Sequence, residues 1–293
     1  MAIFTQLLVN SIIVGAIYAL VASGFSLIYA TNRFVHFAHG AVIIVAGYIL
    51  YGFTQGLGIP ISVSILLTLL LTSIFGFLQY KCIYLPLKKR NSSTIIMLIA
   101  SVALMILFEN LILLFAGSSV KTFSFITTQR GAETLGFLIT PIQITIILTS
   151  LVIFTLLWIL LKKTTLGKQL RAVADNPDLA NITGISATKI ASFSFFIGSA
   201  MAGLAGMLIA IEQNLEPFMG TRLIIKGFTA AIIGGINRVE GAILGALILG
   251  LTENFGIWFL PSGYKDAISF TLLIGFLIFK PTGVLGINKG HKQ

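Results

Sequence analysis

Residues 34–41, FVHFAHGA, put His36 and His39 one helical turn apart, the spacing at which two imidazoles could share a metal ion. A zinc-type site needs a third or fourth ligand, and no carboxylate or cysteine lies nearby to complete it. The metal reading is therefore set aside in favour of a polar kink. In that reading His39 hydrogen-bonds across a helix contact, and Gly40 lets two backbones approach closely. Glu109 and Glu253 are each followed by asparagine and fall within or near apolar stretches. Acids buried in a membrane are functional candidates by default, although snorkelling or a local polar pair near a span end is the milder account. Cys82 is a single cysteine, which excludes an intrachain disulfide and leaves the thiol without a redox or metal partner. No G-x-x-x-x-G-K-[ST] occurs, so the chain cannot cradle nucleotide phosphates itself. The nearest glycine cluster, Gly234-Gly235, sits in an apolar run with no Lys-Ser after it. No nucleophile–base pair is evident, and neither an enzyme nor a resident cofactor is expected.

These residues are set in a chain that is 57% hydrophobic and 10% charged over 293 residues, with a mean hydropathy of +1.02. A soluble domain carries about a quarter of its residues as charge, so this is a membrane protein. Repeated apolar stretches of the ~20 residues needed to cross the hydrocarbon make it a polytopic helical bundle. The weak alternating segments of a β-barrel are absent. The net charge of +10 would suggest nucleic acid in a soluble protein. Here the basic residues collect in short loops, as the positive-inside rule expects, and no nucleic-acid partner is implied. The N-terminal stretch lacks a basic leader and reads as a retained first helix.

Spans are expected at about 6–30, 37–54, 60–80, 94–116, 141–161 and 188–212. Beyond them come a short apolar run at 223–236 and spans at 242–260 and 266–280. The expectation is a single all-α domain, 1–293, with eight or nine spans, some of them short or broken. Placing 81–90, 162–189, Arg33 and the tail in the cytoplasm gathers thirteen basic residues there. Five remain opposite: Lys121, Arg130, Arg222, Lys226 and Lys265. The N-terminus is then outside and the C-terminus inside, provided that 223–236 crosses. Runs with glycines at 241, 245 and 250 suit tight helix packing. Glu212 and Glu216 fall near the outer mouth.

Residues 170–186, LRAVADNPDLANITGIS, stand out as compact and polar. Asn176 as N-cap, Pro177 at the first helical position and Asp178 at the positive helix end start a helix over 177–183, which Gly184 stops. Ser186 is placed to cap the span that begins near 188. Leu179 and Ile182 form a small apolar face, while Ala172, Ala174 and Ala180 permit close approach. Two turns are marginal alone, so the helix needs a packing partner. That partner is either the chain's own bundle or a cytoplasmic protein.

The segment resembles the coupling loop of ABC importer permeases, here about 162–188. Two more stretches resemble the branched-chain amino acid permeases in particular. GAIYAL at 15–20 followed by HFAHG at 36–40 is similar to that family's G-x-x-Y-A-L and N-F-A-H-G, with His36 in place of asparagine. Residues 227–250, GFTAAIIGGINRVEGAILGALILG, are similar to its glycine-rich region, with Ile233 for leucine and Asn237-Arg238 for Gly-Ser. The resemblance implies the pore-forming subunit of a binding-protein-dependent importer in a bacterial cytoplasmic membrane. Its partners would be a second permease, two ATPase subunits and an external binding protein. Leu170, Arg171, Ala172, Ala174, Asp175, Asn176, Asp178, Leu179, Ala180 and Gly184 would couple to the ATPase. His36, Phe37, His39, Gly40, Phe228, Gly234 and Gly235 would line or gate the path, and Glu212 and Glu216 would meet the binding protein. Urea or short amides are alternative substrates. A stand-alone secondary transporter or channel is the rival class, and it predicts an intramembrane acid–base cluster that the sequence does not display.

Overall fold

The computed structural model describes residues 2–123, 132–134 and 137–286; Arg130, Lys289 and Lys292 of the charge tally lie outside them. The all-α expectation holds. The helices are α1 Ala2–Asn32, α2 His39–Tyr51, α3 Ile61–Gln79, α4 Leu85–Lys89, α5 Thr94–Ala116, α6 Pro141–Lys163, α7 Thr165–Asp175, α8 Pro177–Ile182, α9 Ala187–Gln213, α10 Met219–Gly234, α11 Val239–Gly256 and α12 Lys265–Phe279. A small antiparallel hairpin pairs β1 Ala132–Thr134 with β2 Phe137–Ile139. Among the described residues, seven helical stretches are long and apolar enough to cross a membrane. The shorter α2 and α10 complete the bundle.

Local chemistry sets the helix limits. Ser93 caps α5 by accepting from the Ile96 amide, and Gly117, at φ 79°, ends it. Thr140 and Gln143 form a reciprocal capping box with Pro141 at the first position of α6. Ser186 caps α9 through the Lys189 amide. The third span departs from its expected end near residue 80. It continues through a π-helical turn, Tyr80–Tyr84, into α4 and stops at Lys89. Pro86 follows the π-helical turn within this continuous span, where its lack of an amide leaves a carbonyl of that turn without a helical donor. Tyr80 and Tyr84 bury their rings fully and hold the turn against the bundle.

Helix α1 is the hub, packed by α9, α10 and α11. Its small residues Ala16, Ala19, Ala22 and Ser23 are buried, which allows close helix approach where apolar lipid gives little driving force for association. The expected glycine contacts are present. A methyl on Gly40 would sit 3.0 Å from the Gly220 carbonyl oxygen, so α2 and α10 touch backbone to backbone. Gly241 and Gly245 meet α10, and Gly250 meets α1 at Ser11 and Gly15. The periphery is the opposite. There α3, α5, α6 and α12 turn large side chains such as Leu66, Ile95, Phe115, Leu151 and Phe279 outward, as hydrocarbon-facing surfaces do.

The bundle has two distinct ends, separated by α1, whose 31 residues extend ~46 Å at 1.5 Å per residue. At one end, the Gln6 side chain exchanges hydrogen bonds with the Leu138 backbone, and Lys121 pairs with Leu215. At the other lie α7, α8, the turn 235–238 and residues 281–286, where the Val284 amide donates to the Ile233 carbonyl. Helix α10 runs from the first end to the second, yet its 16 residues span only ~24 Å against ~30 Å of hydrocarbon. Each of its ends borders a cavity.

Candidate functional site

The polar segment is built as two helices set at an angle. Thr164 accepts from the Gly167 amide at 3.0 Å and starts α7 immediately after α6. Gly167 is wedged against the carbonyls of Leu160 and Leu161, where a side chain has no room. Helix α7 buries Leu170 and Val173, and Arg171 donates to the Leu161 carbonyl. Asn176 then ends α7 and caps α8, accepting from the amides of Asp178 and Leu179 at 3.0 Å each. Gly184 takes φ 86° and stops the chain one residue earlier than expected, since α8 ends at Ile182. The Asn181 side chain accepts from the Ala187 amide at 2.9 Å and ties α8 to α9. Ala180 is buried against the bundle, whereas Leu179 is 58% and Ile182 82% exposed. Lys88 at the end of the third span is an electrostatic neighbour of Asp178. The segment is thus braced by its own bundle on one side, and its apolar pair faces away from it.

Behind the segment is a cavity of about 720 Å³, lined by Arg33, Lys162, Arg171, Ala174, Asp175, Gly235, Arg238 and Glu240 among others. Arg33, left-handed at φ 61°, donates to the Ala174 carbonyl at the end of α7 and to Asn237 Oδ1 at 3.4 Å. One guanidinium therefore joins α1, α7 and the α10–α11 turn. Lys162 pairs with Glu240 at 3.2 Å. Gly234 ends α10 and Gly235 turns at φ 110°. The broken end is less open than its glycines suggest, because the amides of Val284 and Leu285 occupy the carbonyls of Ile233 and Gly234.

Both histidines meet polar groups of other segments. His36 makes the cross-helix bond, its Nδ1 lying 3.0 Å from the Tyr84 hydroxyl inside a cage of Phe34, Tyr84 and Phe195 rings. His39 is fully buried, and its polar neighbour is the Val21 backbone carbonyl on α1. Its ring lies against Gly24, where α1 comes too close to leave room for a polar side chain. Neither histidine lines either of the two cavities. Phe37 and Phe228 do meet, with ring centroids 5.6 Å apart, and Phe25 packs edge-on to Phe228 at 5.8 Å.

At the opposite end a cavity of about 200 Å³ opens beside α10. An intramembrane acid–base cluster, which the sequence does not display, is present here. Lys226 is no loop cation: it lies mid-α10 and donates to Glu253 Oε1 at 2.7 Å, to Asp266 Oδ1 at 2.7 Å and to Ser269 Oγ at 2.6 Å. Glu253, 1% exposed, also accepts from the Tyr18 hydroxyl at 2.9 Å and from Ser269. Glu253 accordingly takes the local-pair option and does not snorkel. Glu109 is buried as well and accepts from Thr221 on α10. Glu212 accepts from Gln143 at 2.9 Å, tying α9 to α6, and Glu216 pairs with Arg222 at the cavity mouth. A lysine inside the apolar run LIIKGFTAAIIGGI is the one signal in the sequence for this cluster. Tyr18, Asp266 and Ser269 carry no signal, since their roles depend on contacts between helices far apart in sequence.

Comparison with known proteins gives a consistent pattern. The family model described as branched-chain amino acid transport system / permease component matches residues 7–277. The high-affinity branched-chain amino acid transport system permease protein BraD of Pseudomonas aeruginosa is 33% identical, over 97% of this chain and 96% of its own. LivH of Escherichia coli is 31% identical over 97% and 96%. The probable LivH of Methanocaldococcus jannaschii is 30% identical over 97% and 93%. Among solved structures, PsaBC from Streptococcus pneumoniae in complex with a Fab superposes with a TM-score of 0.52 at 16% identity, covering 96% of this chain and 93% of that one. At that identity the likeness concerns the fold.

Proposed function

The chain belongs to the branched-chain amino acid transport permease family, and from that premise we propose that it is the membrane subunit of an ATP-driven importer of branched-chain amino acids. The relatives' names supply the substrate class. The observation that carries the coupling role is the exposed Leu179–Ile182 pair, presented by a short capped helix that the bundle holds in place. Two apolar side chains on a braced, solvent-facing helix suit a groove on a partner. That partner is the pair of cytoplasmic ATPase subunits, because this chain has no phosphate-binding loop of its own.

In this reading the end bearing α7, α8 and residues 281–286 is cytoplasmic, and the N-terminus is external. A second permease completes the path. Phe37, Gly40 and Phe228 lie along it, with His36, His39, Gly234 and Gly235 shaping the helices behind. An external binding protein delivers substrate near Glu212 and Glu216. ATP-driven closure of the ATPase pair moves α7 and α8, and the bundle alternates between outward and inward access.

The buried Lys226–Glu253 pair gives the rival class, ion-coupled transport, a specific foothold. Uptake of radiolabelled L-leucine into proteoliposomes separates the two. The importer reading expects uptake that requires ATP, both ATPase subunits and the binding protein. Uptake driven by an ion gradient through permease alone would overturn it. ATP-dependent uptake of urea or an amide in preference to leucine, valine and isoleucine would overturn the substrate assignment alone.

A further inference from the structure

We propose that the outer cavity is a binding site, on the permease itself, for one zwitterionic aliphatic amino acid. The inference rests on the reading of this chain as an amino acid permease and adds to it a defined substrate contact. Charged groups at membrane depth are costly and are retained where they meet ions or substrates. Lys226 and Glu253 are such a buried pair, and the cavity they border carries three charges of each sign, completed by the exposed or half-exposed Arg222, Lys265, Glu216 and Asp266.

Their pairing is uneven, and the imbalance has the pattern of a zwitterion. Lys226 sits between two carboxylates, Glu253 and Asp266, each at 2.7 Å, so that trio carries one surplus negative charge. Arg222 and Glu216 neutralise each other. Lys265 has no ion-pair partner among the described residues, and it supplies one surplus positive charge on the same wall. A ligand ammonium therefore fits beside Glu253 and Asp266, and a ligand carboxylate fits at Lys265. The rest of the lining combines apolar Val14, Ile17, Ile209, Met219 and Leu223 with the polar Tyr18, Gln213 and Asn214. A volume of about 200 Å³ holds roughly six or seven waters at ~30 Å³ each, which suits one small amino acid and is below the size of drug-like sites.

The test uses the assembled permease pair and ATPases in lipid nanodiscs, without the binding protein, and measures binding of radiolabelled L-leucine. Saturable binding is expected, competed by valine and isoleucine but weakly by 4-methylpentanoate, which lacks the ammonium, and by 3-methylbutylamine, which lacks the carboxylate. Asp266→Asn and Lys265→Gln change exposed or half-buried side chains at the start of α12 without altering their size much. Each should weaken leucine by roughly ten- to a hundredfold, the loss expected for one charge-assisted hydrogen bond. Asp266→Asn should bring the deaminated acid level with leucine, and Lys265→Gln should do the same for the amine. Absence of saturable leucine binding to the wild type would overturn the site. Equal competition by the amine on the wild type would also overturn it, by making this a cation site. Unaltered discrimination in both variants would overturn the assignment of the two charges. ATP-dependent leucine uptake is read on the same preparation after adding the binding protein. Uptake without permease-side binding rejects the site and keeps the importer, and binding of a different zwitterion without leucine uptake rejects the substrate reading.

Discussion

Replacing Leu179 and Ile182 together by serine should detach the ATPase from a permease that remains intact. In the free chain these side chains are 58% and 82% exposed, so little of their apolar surface is used in the fold. Substitutions at such positions change stability by about 0.5 kcal/mol or less. Complete burial of a leucine or isoleucine is worth ~1.5–3 kcal/mol. Scaled by the exposed fractions of 58% and 82%, docking would recover about 0.9–1.7 kcal/mol from Leu179 and about 1.2–2.5 from Ile182. The double variant should therefore bind ATPase roughly thirty- to a thousandfold more weakly. The assay is ATPase affinity for detergent-solubilised permease by biolayer interferometry, alongside the melting temperature of the permease alone. Wild-type affinity in the double variant would refute the reasoning. So would a melting temperature that falls in step with affinity, because the pair would then belong to the fold.

The packing sets three further outcomes. Lys226→Met should destabilise by about 3 kcal/mol or more, since it strands a buried Glu253; Glu253→Gln should cost less, because Lys226 keeps Asp266 at 2.7 Å. Paired changes at the two sites should couple by at least ~1 kcal/mol in denaturant titrations, where additivity would show that the pair is not energetically joined. Asn176→Ala removes the acceptor for two α8 amides, and a loss of ~1 kcal/mol should weaken ATPase binding about fivefold without lowering the melting temperature. Gly245→Val should cost roughly 3 kcal/mol or more, because its side chain meets the Gly234 backbone, whereas Gly275→Ala, with open space around it, should be neutral or mildly stabilising; fluorescence-detected size-exclusion profiles compare the two.

Most of the helices are legible in the sequence because each is specified locally. The limits of α5 can be read directly, since Ser93 and Gly117 are chemical start and stop signals that act on neighbouring residues. The same holds for α8, whose Asn176, Pro177 and Gly184 lie within nine residues. The third span reads too short because a lysine-rich stretch with a proline suggests a loop, and the π-helical turn at Tyr80–Tyr84 is held by buried rings from other helices. One helical turn of spacing does not say which imidazole faces Tyr84, so the His36–Tyr84 contact cannot be read from the sequence. The charge cluster is hidden for a similar reason. Lys226 and Glu253 are 27 residues apart on different helices, and a net charge tally counts Lys226 equally whether it lies in a loop or in a bundle.

The short α10 links these features mechanically. Gly235 at one end borders the large cavity behind α7, and Lys226, nine positions back, borders the small cavity at the other end. That separation is ~14 Å of rigid helix. Gly220 and Gly234 seat the same helix on neighbouring backbones, contacts that permit sliding or tilting more readily than interdigitated large side chains. Arg33 fastens the end of α7 to the turn beyond α10. In the proposed cycle a displacement of α7 would load the turn shared by α10 and α11, and the stiff α10 would carry that load toward Lys226 and its contact with Asp266 on α12. Lys226 holds both carboxylates at 2.7 Å at once, so sliding of α10 against α11 or α12 would have to stretch one of these two contacts.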